Sequence, residues 1–186
     1  MKVRGEALIS LPVFIITKFG KTQFVDWLDS LTPEAKKVYN EPVDKSEWYP
    51  LKQMLIEPTQ KLCEMFYNND LRGAFECGKY SAEYGLKGIY KVLVKLSSPE
   101  ILINRATKII QNYYEPSEVE VMELGLSKII VRITEFSEME HCIEQRIAGW
   151  MARAIEITGK KLVRVKVTKS LVQNDPFSEF EISWLS

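Results

Sequence analysis

The side chains able to do covalent or metal chemistry are few: one histidine, His141, and three cysteines, Cys63, Cys77 and Cys142, in 186 residues. A single histidine excludes every metal motif that needs two and leaves a nucleophilic triad with one base at most. The cysteines are odd in number and far apart, with neither the CxxC pairs of a zinc site nor the density of a disulfide framework, so they read as reduced thiols. His141 stands between Glu140 and Cys142, near Glu138, Glu144 and Gln145, without a nucleophile motif or second ligands. It reads as a solvated residue on a helix surface. These residues imply no metal site and no cofactor, and the absence of GxSxG, HExxH, EF-hand and GxGxxG patterns argues against an enzyme.

One string imitates a phosphate loop. Residues 73–79, GAFECGK, fit the GxxxxGK spacing, but Tyr80 occupies the place where magnesium needs a hydroxyl, and the segment lies inside a helical pattern rather than after a strand. A different regularity covers more of it: Gly73, Cys77, Ser81 and Gly85 recur every four residues, with Ala74, Gly78 and Ala82 beside them. Small side chains in that register let a second helix, or a flat ligand, approach the backbone, and helix packing is the commoner cause. Tyr80, Tyr84, Tyr113, Tyr114 and Trp150 carry polar tips on apolar bodies, which suits a pocket wall and a core rim equally. The candidate pocket wall is Gly73, Cys77, Tyr80, Ser81, Tyr84, Tyr113 and Trp150.

Several elements must position these residues. Residues 2–9 suggest a first strand, Leu11–Phe19 and Thr22–Leu31 two helices parted by Gly20, and Thr32-Pro33-Glu34 a capped helix start. The DKSEWYP segment at 44–50 reads as a loop, followed by helices from Pro50 to about Asn68 and from Asp70 to about Tyr84. Ser98-Pro99-Glu100 opens another, with Ile101, Leu102, Ala106, Ile109, Ile110 and Tyr113 on one face. After Pro116 the period changes to two, with Val119 and Val121, then Ile129, Val131 and Ile133, on one side. A helix over about 138–157 follows, striped by Met139, Cys142, Ile143, Ile147, Trp150, Met151, Ala154 and Ile155. A final hairpin sets Val163, Val165 and Val167 against Phe180, Ile182 and Trp184. Its basic residues, Lys160, Lys161, Arg164, Lys166 and Lys169, are balanced by Glu179 and Glu181, so no nucleic-acid platform is expected. The predicted class is α+β, a helical part over about 1–115 followed by β-β-α-β-β over about 116–186, in one domain of residues 1–186.

Composition agrees with a soluble domain: 46% apolar, 27% charged, and 25 basic against 25 acidic residues. The longest apolar run, Leu11 to Thr17, is too short to span a bilayer and no cleavage site follows it, so a cytoplasmic protein without a membrane span is expected.

The order of elements, with the strings EWYPLKQML at 47–55, GKYSAEYGLKGIYKVLVKLSSPEILINRA at 78–106 and SLVQNDPFSEFEISW at 170–184, resembles a superfamily. It groups heme-nitric-oxide/oxygen-binding (H-NOX) domains, Bet3-type subunits of TRAPP tethering complexes and vinyl-reductase-like (V4R) domains. Within it the strings look most like a bacterial family of unknown function common in myxobacteria. H-NOX domains ligate heme through a histidine on the helix before the strands and grip its propionates with Tyr-x-Ser-x-Arg. The helix at about 98–114 has no histidine and that motif is missing, so the resemblance implies a heme-free relative. V4R-like domains often carry Cys-x-x-x-Gly-Asp-x-x-Cys-x-Phe near their end. The matching positions are Ser170, Asn174, Asp175, Ser178 and Phe180, so thiol chemistry does not transfer. Bet3-like proteins can hold an acyl chain in a buried tunnel on a helical cysteine, a comparison that points to Cys77. The expected function is a non-catalytic sensory or ligand-binding module for an apolar small molecule, signalling to a partner protein or acting as a homodimer. The alternative is a structural interaction module, for dimerisation or scaffolding, with no ligand.

Overall fold

The computed structural model describes residues 1–85, 101 and 108–185. The chain begins with strand β1 (Lys2–Arg4), which ends after three residues because the backbone turns at Gly5 into helix α1 (Gly5–Leu8). A Cβ on Gly5 would lie 1.8 Å from the Asp44 carbonyl oxygen, so only glycine permits this approach. Strand β1 pairs antiparallel with β2 (Trp48–Pro50) on one side and β3 (Tyr114–Glu115) on the other, with Val3 opposite both Tyr49 and Tyr114. The expected strand over 2–9 is therefore strand only over Lys2–Arg4 and helix over Gly5–Leu8, and the expected loop at 44–50 ends as a strand.

Helices α2 (Ser10–Phe19) and α3 (Lys21–Asp29) are separated at Gly20, where φ is +94°. Helix α4 (Pro33–Asn40) starts as expected, with the Thr32 hydroxyl accepting the Ala35 N–H at 3.3 Å. A π-helical turn over Lys52–Ile56 runs into α5 (Glu57–Tyr67). Pro58 has no N–H to give the carbonyl four residues back, and the buried Tyr39 hydroxyl donates to that orphaned Met54 oxygen instead. Asp70 accepts the Arg72 N–H at 2.8 Å to open α6 (Arg72–Gly85). The whole apolar run 89–96, and residues 98–100 and 102–107 of the predicted helix from Ser98, lie outside the described residues. Of that helix's predicted face, Ile101 is 49% exposed, Ile110 is buried, and Ile109 and Tyr113 are half-buried.

The second half follows the predicted alternation. Strands β4 (Glu118–Leu124) and β5 (Lys128–Glu135), helix α7 (His141–Ile157), and strands β6 (Lys161–Lys169) and β7 (Ser178–Leu185) give an antiparallel sheet in the order β4-β5-β7-β6. Ile129, Val131, Ile133, Phe180, Ile182 and Trp184 are buried, while Arg132 pairs with Glu179 at 2.7 Å and Lys128 with Glu181 at 3.5 Å on the other face. The architecture is α+β, a helical N-terminal half followed by a sheet-bearing C-terminal half.

Helices α6 and α7 cross at backbone contact. A Cβ on Gly78 would lie 2.0 Å from the Arg146 carbonyl oxygen, and a Cβ on Gly149 would lie 2.0 Å from that of Phe75. The small-residue register thus serves helix packing, and Lys79, the lysine of the imitated phosphate loop, pairs with Glu156 of α7 at 2.9 Å. Helix α7 is buried nearly all round, including Glu144 and Arg146, so Glu144 is not on the helix surface where its polarity suggested.

Candidate functional site

The crossing of α6 and α7 leaves a small chamber beside it. Ile147 and Trp150 of α7, one turn apart, face Gly78 and Ser81 of α6, while Ala7 of α1 and Ile109, Ile110, Tyr113 and Tyr114 complete the wall. Its volume is about 30 Å³, which admits about one or two waters or a group of that size. A larger cleft of about 610 Å³ adjoins it and shares Ile109, Tyr113 and Trp150; Arg4, Glu6, Lys45, Ser46, Gly85 and Asn112 line the rest.

Arg146 also lines the chamber and is only 4% exposed. Its Nη1 donates to the Cys77 sulfur at 2.9 Å and more weakly to the Thr59 hydroxyl at 3.5 Å. Burial pushes the Cys77 thiol up, against a smaller opposing pull from Arg146, and pushes the Tyr114 phenol up in the same way. Both are neutral near pH 7.

The expected wall residues separate into two groups. Ser81, Tyr113 and Trp150 line the chamber. Gly73 lies under the Tyr67 ring and Leu62 at the start of α6, Cys77 is one layer behind the chamber on Arg146, and Tyr80 turns toward α2, touching the Phe14 ring and the Thr17 hydroxyl at 3.2 Å. Tyr84 stacks on Tyr80. Charge hid Arg146, although it sits in register between Ile143 and Trp150 on the apolar stripe of α7, whereas Ile147 reads from the sequence as core on that stripe and not as chamber wall.

No family model matches this sequence, and no curated protein matches it. Solved structures do. An H-NOX protein from S. oneidensis in the Fe(II)NO ligation state superposes with a TM-score of 0.74 at 11% identity, covering 98% of this chain and 99% of that one. The Fe(II) unliganded H-NOX protein from K. algicida gives 0.68 at 13% identity over 98% and 97%. An isoleucine-to-phenylalanine mutant of the T. tengcongensis H-NOX gives 0.59 at 13% identity over 98% of each. The fold is that of H-NOX domains.

The residues present do not fit the heme that an H-NOX fold implies. His141, the single histidine of the sequence, is the first residue of α7, with its side chain 47% exposed and its Nδ1 3.3 Å from Glu144, and it is absent from the chamber wall. Burial pushes the Cys63 thiol up to about 11 and the Cys142 thiol up to about 12, and it also raises Tyr113 and Tyr114, so none of these four side chains is poised as a thiolate or phenolate axial ligand. Among the described residues no group of three His, Cys, Asp or Glu side chains is placed to hold a metal ion.

The two serines at the V4R-like positions have a different task in this H-NOX fold. The buried Glu144 carboxylate accepts the hydroxyls of Ser170, at 2.8 Å, and Ser178, at 2.5 Å. Ser170 also accepts the Val172 N–H, and Ser178 the Leu171 N–H. The cluster fastens α7 to the connection between β6 and β7. A catalytic triad would need the base between serine and acid, whereas here the acid lies between serine and His141.

Proposed function

We propose that the chain is a non-catalytic sensory module, a single domain that takes a small, largely apolar molecule between its helical half and its sheet without a histidine-ligated heme. The observation carrying this reading is the chamber at the α6–α7 crossing, walled by Ala7, Ile109, Ile110, Ile147 and Trp150 and sharing Ile109, Tyr113 and Trp150 with a cleft large enough for a small molecule. The fold supports it, because the neighbours named above include an H-NOX protein in an NO-ligated state. Ligand entry would act on α7, which touches the chamber on one side and the sheet on the other, and so reach a partner protein docked on the sheet. Among the described residues no helix is long and apolar enough to cross a membrane.

The test is native mass spectrometry of the protein purified from its own host, followed by denaturation, together with a hemin titration. The expected result is a noncovalent added mass that leaves on denaturation, and no Soret band of a histidine-ligated heme. A stoichiometric Soret complex abolished by His141→Ala overturns the heme-free reading.

A second reading, an interaction module without ligand, draws on three exposed leucines. Leu126 is 95% exposed at the β4–β5 turn. The Trp184 N–H donates to the Ser127 carbonyl, which brings that turn beside Leu185, and Lys161, next to Leu162, pairs with Leu185. An unmodified mass in a clean dimer selects this reading.

A further inference from the structure

Arg146 narrows the ligand beyond an apolar molecule. Its Nη1 is engaged by Cys77 and Thr59, but among the described residues Nε and Nη2 have no acceptor, and neither is among the sealed, unbonded polar atoms of the core. No carboxylate pairs with the guanidinium among the described residues. Its polar neighbours Cys77, Tyr39 and Tyr114 are all held protonated by burial, so none of them neutralises it at pH 7. A guanidinium withdrawn from water without a counter-charge is a costly thing for a core to keep. The edge it leaves unused, Nε with Nη2, is the planar fork that matches the two oxygens of a carboxylate. Apart from Arg146 and the neutral hydroxyl-bearing Ser81, Tyr113 and Tyr114, the chamber wall is apolar, and its volume of about 30 Å³ suits a carboxylate better than a phosphate or sulfate.

We propose that Arg146 is the counter-ion for the carboxylate of an amphiphilic ligand whose head enters the chamber and whose apolar body lies in the adjoining cleft against Ile109, Tyr113 and Trp150. This rests on the reading of the chain as a ligand-binding module. Arg146 then supplies selectivity between acids and neutral molecules of the same shape, and the apolar wall supplies affinity for the body.

The experiment is calorimetric titration of the full chain at pH 7.5 with decanoate, methyl decanoate, decanol and acetate, repeated on Arg146→Met and Arg146→Lys. The wild type should bind decanoate at least about tenfold more tightly than the ester or the alcohol, with acetate weak. Arg146→Met should bind acid and alcohol alike, and Arg146→Lys should retain part of the preference. Because the ligand comparison is made on the wild type, it stands even if a variant fails to fold. If ester, alcohol and acid bind the wild type equally, the counter-ion role is wrong while the apolar module survives. If acetate binds as well as decanoate, the site is a plain anion site and the amphiphile is wrong. If none of the four binds, both this inference and the ligand-binding reading fall.

Discussion

The crossing of α6 and α7 makes a sharp demand on two glycines. An ordinary Cβ contact begins near 3.4 Å, and a Cβ on Gly149 would lie 2.0 Å from the Phe75 carbonyl oxygen, leaving a shortfall of about 1.4 Å. The obstacle is backbone of a hydrogen-bonded helix, which cannot swing aside as a side chain does, so the strain belongs at the upper end of the overpacking range, about 3 kcal/mol. Alanine in a helix returns about 1 kcal/mol of propensity, which leaves Gly149→Ala destabilised by about 2 kcal/mol. For a chain of this size that is a fall in Tm of about 4–8 °C. Gly78→Ala meets the Arg146 carbonyl oxygen at the same 2.0 Å and should cost the same. Since one separation of the helices relieves both clashes, the double variant should cost clearly less than the two singles together. Gly85→Ala is the control: no atom of the described residues lies within 4 Å of its Cβ, so its Tm should hold or rise. Thermal unfolding followed by far-UV circular dichroism reads all four. A Gly149→Ala protein as stable as the wild type would refute the close-contact account of this crossing.

Two further outcomes follow from the charges and thiols. Burial raises the thiols of Cys63, Cys77 and Cys142, so an aromatic disulfide reagent at pH 8 should label the native protein slowly and all three cysteines rapidly in urea. Fast labelling of Cys77 in the native state would contradict its burial. Hydrogen bonds from Thr168 and Arg132 hold the Glu179 carboxyl below the usual carboxylate range. A depressed folded value stabilises above the unfolded value, about 4.3, and the contribution is lost as the pH falls through the folded value. The stability gap between wild type and Glu179→Gln in urea titrations should therefore be constant above about pH 5 and close on acidification. A gap that widens in acid would reverse the assignment.

Much of the C-terminal half was legible because each strand buries one face only. Val131 and Ile133 against Arg132, or Ile182 against Glu181, announce the pleat directly. The three-stranded ribbon was not legible, since Lys2–Arg4, Trp48–Pro50 and Tyr114–Glu115 are too short for a period and pair across long stretches of chain, Val3 with Tyr49 and with Tyr114. Of the candidate site, the sequence offered Ser81, Tyr113 and Trp150 as side chains suited to a wall. It concealed Arg146 and Glu144 because charge reads as solvent exposure, although α7 has so many small and apolar residues on every side, among them Ala148, Gly149 and Ala152, that it has little solvent face. Glu144 is buried because Ser170 and Ser178 meet it, a pairing visible only once the sheet is folded.

Among the described residues the sheet order leaves β4 and β6 as its two rims, and the rims have opposite signs. Strand β6 carries Lys161, Arg164, Lys166 and Lys169, whereas β4 begins with Glu118 and Glu120, and register shifts interrupt the regular pairing of both strands. Two copies meeting rim to like rim would bring lysine to lysine or glutamate to glutamate along a distorted strand, so this protein resists extending its sheet by strand addition about a two-fold axis. A symmetric dimer built on a face of the molecule avoids both like-charged rims, and the role of β6 in repelling a second copy gives its basic residues a reason that needs no polyanionic partner.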